Sequence, residues 1–123
     1  MRFLTCARGF VLALMAWVLG VGLALGHSGL QRAEPPVEGT LQRPPREVKL
    51  YFSERLEPDY STVRVKDGRG AQVDRQDAHV DPSNPLVLRV TLPPLERGTY
   101  AVIWRVLSVD SHVTEGRFTF RVK

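Results

Sequence analysis

Three histidines and one aspartate are the residues of this 123-residue chain whose types and positions could hold a metal ion. His27 follows directly on Ala24-Leu25-Gly26. If the chain is cut there, His27 becomes an N-terminal residue, and its α-amine and ring Nδ1 can close a chelate ring on one ion. The α-amine titrates at roughly 7.7–8, well below a lysine, so it yields its lone pair readily to a metal. The plain alternative is that the first residue of an exported chain is unstructured and its identity incidental. The second group is Ser108-Val109-Asp110-Ser111-His112. On an extended backbone residues i and i+2 point to the same side, so Asp110 and His112 can face one ion together. Taken alone, Asp-x-His reads better as a solvated loop in which Asp110 caps a turn. The two groups reinforce one another only if the fold brings residue 27 beside residue 112. The donor set would then be an amine, two imidazoles and a carboxylate, which suits tetragonal Cu(II) or Ni(II) and is also acceptable to zinc, with the affinity order favouring copper.

The remaining candidates are weaker. His79 lies beside a turn and reads as a surface residue. Glu54, Glu57 and Asp59 are carboxylates without a marked cleft. Cys6, Met1 and Met15 all precede residue 27, so residues 27–123 contain no sulfur ligand and no cysteine nucleophile. No Ser/His/Asp arrangement is arguable either.

The elements that would position these groups follow from patterning. Residues 1–26 read as a cleaved export signal: Arg2 and Arg8, an apolar run from Phe10 to Leu25, then small residues before the cut. That run is shorter than a membrane-spanning helix requires. Residues 27–123 suffice for one small domain. They carry +2 of the chain's formal +4, since Arg2 and Arg8 lie in the leader. So small a charge, spread along the chain, makes no case for nucleic acid or an anionic membrane. The proline-rich stretch from His27 to Pro45 should run extended over the surface. Beyond it apolar residues alternate: Val48, Leu50, Phe52; Val63, Val65; Leu86, Leu88, Val90; Tyr100, Val102, Trp104, Val106; Phe118, Phe120, Val122. A further strand is expected to begin at Val80. Short strands punctuated by Pro, Gly, Asn and Asp predict an all-β antiparallel sandwich or small barrel.

With these residues in view, the chain resembles the CopC family of periplasmic copper-binding domains. The resemblance rests on His27 after the leader, Glu38-Gly39, Pro44 to Phe52 and Ser53-Glu54. It is strongest from Leu95 to Val122, where Gly98-Thr99-Tyr100, Trp104-Arg105, Ser108-x-Asp110-x-His112, Gly116 and Phe118-x-Phe120 stand in the family's order. It implies an immunoglobulin-like Greek-key sandwich of seven to nine strands. It implies one Cu(II) held by the amine and ring of His27 with Asp110 and His112, and a periplasmic role in copper resistance or trafficking beside a CopD-type membrane protein. Glu54 matches an acidic position near that site and is carried over as an outer contact only. Val113 stands where the family often has proline, a change expected to loosen the loop and to leave both ligands in place. The methionine-rich Cu(I) site of some members has no counterpart here.

A metal-binding carrier, not an enzyme, is therefore the expected class. Two other classes compete. One is an oxidative copper enzyme with a histidine brace, against which stand the small domain and the few aromatic residues for stacking on a polymer. The other is an immunoglobulin-like interaction module in which His27 is incidental.

Overall fold

The computed structural model describes residues 29–123. The leader, 1–26, and His27 lie outside the described residues. Eight strands and one 3-10 turn make up the rest: β1 (Leu30–Glu34), β2 (Thr40–Leu41), β3 (Glu47–Phe52), the turn Pro58–Tyr60, β4 (Thr62–Lys66), β5 (His79–Val80), β6 (Val87–Thr91), β7 (Gly98–Leu107) and β8 (Val113–Val122). They form two four-stranded sheets, ordered β1-β3-β6-β5 and β2-β8-β7-β4. Only β5–β6 and β7–β8 are successive strands in one sheet. Every other connection crosses the sandwich, which is the crossed connectivity of a Greek-key fold.

The period-two pattern becomes the core. Val48, Leu50, Val63, Val65, Leu88, Val90 and Val102 are at most 1% exposed. Tyr100, Trp104, Val106, Phe118, Phe120 and Val122 are buried with them. Each of these strands therefore turns its apolar face to the facing sheet and its polar face to water. Phe52 of one sheet meets Trp104 of the other edge-on, at 5.2 Å between centroids and 73° between planes. Tyr100 and Phe120, directly opposite in register, stack at 5.4 Å.

The proline-rich stretch differs from its expected role. It is extended, and it also contributes two hydrogen-bonded strands. β1 pairs antiparallel with β3, Leu30 opposite Phe52 and Glu34 opposite Lys49, with a register shift between Leu30 and Arg32. β2 pairs parallel with β8. Of β1, only Ala33 is buried. An edge strand held mainly by backbone bonds carries little hydrophobic periodicity, which is why the sequence reads there as a surface segment.

The β1–β3 pairing fixes the geometry at one end of the sandwich. Because it is antiparallel, the start of β1 lies beside the end of β3, and the Gly29 carbonyl accepts from Ser53 N at 2.7 Å.

Candidate metal centre

Asp110 and His112 sit in the loop between β7 and β8. The loop is pinned by Ser108, which is buried and forms an isolated bridge with Leu56. Its amide donates to His112 O at 2.9 Å, and Ser111 N donates back to Ser108 O at 2.9 Å. Val109 N donates to Arg55 O at 2.9 Å, which ties the loop to the chain leaving β3.

The backbone between the two residues is not extended, so the expected strand alternation is not what joins them. Residues 109–111 form a turn, and Ser111 lies at φ 72°, in the left-handed region. The turn brings the side chains together instead: Asp110 Oδ2 lies 3.0 Å from His112 Nδ1. Asp110 Oδ1 accepts from the Ser108 hydroxyl and, at 3.4 Å, from the His112 amide. Asp110 thus also caps the turn, as the loop reading expected. Hydrogen bonds from Ser108 and His112, with the charge a protonated His112 would carry, hold the Asp110 carboxyl below the usual carboxylate range. Both side chains remain open to solvent, His112 at 79% and Asp110 at 45%. A neutral His112 that donates from Nδ1 to this carboxylate presents its lone pair at Nε2, the form in which an imidazole takes a metal.

These residues line a cleft of about 320 Å³ together with Gly29, Phe52, Glu54 and Thr114. The buried Phe52 and Leu56 give it an apolar lining, and Glu54 lines it as well. Glu54, carried over from the resemblance as an outer contact, is therefore in the same cleft as Asp110 and His112. His79 is not. It lies on β5, exposed, with its Nδ1 2.8 Å from Asp77 O. Among the described residues no three His, Cys, Asp or Glu side chains come together as a metal cluster. Of the three residues expected at the site, Asp110 and His112 come together, and the third, His27, lies outside the described residues.

Ser108 is the positioning residue that sequence reasoning missed. It stood in the motif without a role, although a serine two residues before an aspartate is itself a turn signal. Its burial and its contact with Asp110 become visible only once Leu56 is packed against it.

Residues 30–123 match the CopC domain family. Protein YobA of Escherichia coli strain K12 is 30% identical over 93% of each chain. Copper resistance protein C of Pseudomonas syringae pv. tomato is 31% identical over 93% of this chain and 94% of that one. Among solved structures, CopC from Methylosinus trichosporium OB3b superposes with a TM-score of 0.72 at 36% identity, covering 79% of this chain and 94% of that one.

Proposed function

The chain belongs to the CopC domain family, and on that premise we propose that it is an extracytoplasmic Cu(II)-binding protein of copper resistance or trafficking. One Cu(II) is held as cargo by the amine and ring of His27 with Asp110 and His112. The copper-resistance role stated for the Pseudomonas syringae relative supports the metal. The absence of Met and Cys from residues 27–123 supports the oxidation state, because thioether and thiolate ligands favour Cu(I). A membrane protein of the CopD type is the proposed recipient or source.

The observation that carries this reading is that Gly29 lines the same cleft as Asp110 and His112. Covalent geometry limits His27 to about 7 Å of Gly29, two residues along. Removal of residues 1–26 would free the amine within reach of the two side chains. In the uncut chain that nitrogen is an amide and has no lone pair to give.

The contact between Asp110 Oδ2 and His112 Nδ1 favours a second role for Asp110. It orients the imidazole whether or not it also binds the ion, as carboxylates behind metal-bound histidines do.

The test is to block the amine while leaving every side chain intact. Acetylation of His27, or one glycine placed before it, should weaken Cu(II) binding about as much as His112→Ala. Binding should also fall as pH drops through the imidazole and amine ranges, since protons compete for the same lone pairs. If the glycine-extended protein bound Cu(II) as tightly as the processed form, with an unchanged electron paramagnetic resonance spectrum, the N-terminal chelate would be wrong.

A further inference from the structure

The modest charge of residues 27–123 is spread along the sequence but not over the folded surface. Strand alternation turns Val63, Val65, Val102, Trp104, Phe118 and Phe120 inward on the β2-β8-β7-β4 sheet. The residues between them face out. Arg64 and Lys66 on β4, Arg105 on β7, and Arg117 and Arg121 on β8 all emerge on that one outer face. Glu115 is the one acidic residue that alternation places among them on these three strands, and it pairs with Arg105 at 3.6 Å; Glu38, from the segment before β2, also reaches this face, where the Thr119 hydroxyl donates to its carboxylate at 3.3 Å. Arg64, Lys66, Arg117 and Arg121 have no carboxylate within ion-pair distance among the described residues. The register sets Arg64 and Arg117 on either side of Ile103, above a hollow lined by Thr62 and Arg105. The other sheet is different. There Arg89 bridges Glu47 at 2.7 Å and Asp81 at 2.9 Å, and Lys49 pairs with Glu47 at 3.4 Å.

We infer that the outer face of the β2-β8-β7-β4 sheet is a docking surface for an anionic lipid bilayer. Two features, the layout of the cations and the apolar side chain beside them, favour a lipid surface over an acidic polypeptide. The cations form a two-dimensional array over three strands about 4.8 Å apart, and Arg117 and Arg121 are about 13 Å apart along β8. A plane of phosphates matches such an array, whereas a peptide would follow a single line or groove. Most of the cations are arginines, whose planar fork fits phosphate and carboxylate oxygens alike, two at a time, so their type is compatible with a lipid surface without selecting it. An exposed apolar side chain accompanies the array at the end nearest the cleft. Val113, opposite Leu107 at the start of β8 and on the same side of that strand as Arg117 and Arg121, is 52% exposed. An aliphatic side chain beside a basic face suits the headgroup boundary. Docking in this way would hold the Asp110–His112 loop at the membrane surface and requires no copper.

The test is co-sedimentation of the exported protein, its processed N-terminus verified by mass spectrometry, with vesicles of phosphatidylcholine alone or mixed with phosphatidylglycerol. Binding is expected to the mixed vesicles only, and to be lost as salt shortens the screening length. Arg64→Glu with Arg117→Glu should weaken it on the order of tenfold or more. Arg32→Glu with Lys49→Glu, on the other sheet, should leave it within about twofold of the parent. Circular dichroism and Cu(II) titration of both variants should match the parent, since these side chains are on outer faces away from the cleft. Absence of binding to the mixed vesicles overturns the inference, as does equal weakening by both pairs of substitutions. Binding to poly-glutamate that is sensitive to Arg64 and Arg117, without vesicle binding, also overturns it in favour of an acidic polypeptide.

Discussion

At the scale of single residues, two positions outside the proposed donor set bear on the site and the core beneath it. The Ser108 hydroxyl donates to Asp110 and lies 3.2 Å from His112 O, so it braces both ends of the turn. Ser108→Ala should lower Cu(II) affinity by roughly tenfold or more while the fold stays intact, as loss of a partner behind a metal ligand does. Competition titration against a chelator of known affinity would measure this, and parent-like affinity would remove Ser108 from the site. Gly116 stands opposite Trp104 in the β7–β8 register. A Cβ there would lie 2.5 Å from Trp104 Cζ2, closer than atoms can approach. Gly116→Ala should therefore displace the indole and cost about 1–3 kcal/mol, as overpacking of a core does. Trp104 is the sole tryptophan among residues 27–123. Thermal melts followed by its fluorescence report both the loss and the displacement.

At the scale of elements, the sheet edge at β4 depends on a buried carboxylate. Val65 N donates to Asp74 Oδ2 at 2.8 Å, and Gln76 N donates to Asp74 Oδ1 at 2.8 Å. Val73 N donates in turn to Val65 O at 2.8 Å. The segment 72–76 thereby covers the free edge of the sheet, which would otherwise offer unpaired amides to another chain. Asp74→Ala would strand the Val65 amide and should cost on the order of 1–3 kcal/mol. Asp74→Asn keeps one acceptor oxygen and should cost less. Urea denaturation of both variants separates them, and equal stability would show that the clamp contributes nothing.

At the scale of the whole molecule, the outer face of the β1-β3-β6-β5 sheet is a linked set of ion pairs whose effect is a dependence on acid. Hydrogen bonds from the Ser83 hydroxyl and amide, then from Arg89, bring Asp81 down to about 2. Burial pushes Glu47 up, but Arg89 and Lys49 outweigh it and leave its carboxyl below the ordinary range. Asp77 is lowered by Thr91. A carboxyl lowered in the folded state stays ionised while the unfolded chain takes up protons. The stability it gives is complete above about pH 4, the unfolded value, and is lost as pH falls towards the folded value. Thermal stability should therefore decline between about pH 4 and about 2, as the Asp81 value requires. Arg89→Met should flatten that decline and lower the stability at neutral pH. A decline of unchanged steepness in Arg89→Met would mean that the Ser83 contacts of Asp81, or other carboxylates, control the acid limb.

The sequence by itself determined the strands that carry the core and the inward face of each. Alternation is a property of one strand, and Val48-Leu50-Phe52 or Tyr100-Val102-Trp104-Val106 display it without reference to any neighbour. It also supplied the identities of Asp110 and His112, because residue type needs no fold to be read. It did not show the strand character of Leu30–Glu34, where pairing with β3 is made by backbone bonds and only Ala33 is buried. It suggested an extended Asp110–His112 segment, where the Ser108 contacts and a left-handed Ser111 make a turn. The juxtaposition of Gly29 with the 108–112 loop was decided by tertiary structure alone. So was the gathering on one outer face of four cations that have no ion-pair partner among the described residues. Both depend on which strands pair and how the sheets stack, and these are relations between residues dozens of positions apart that no local pattern encodes.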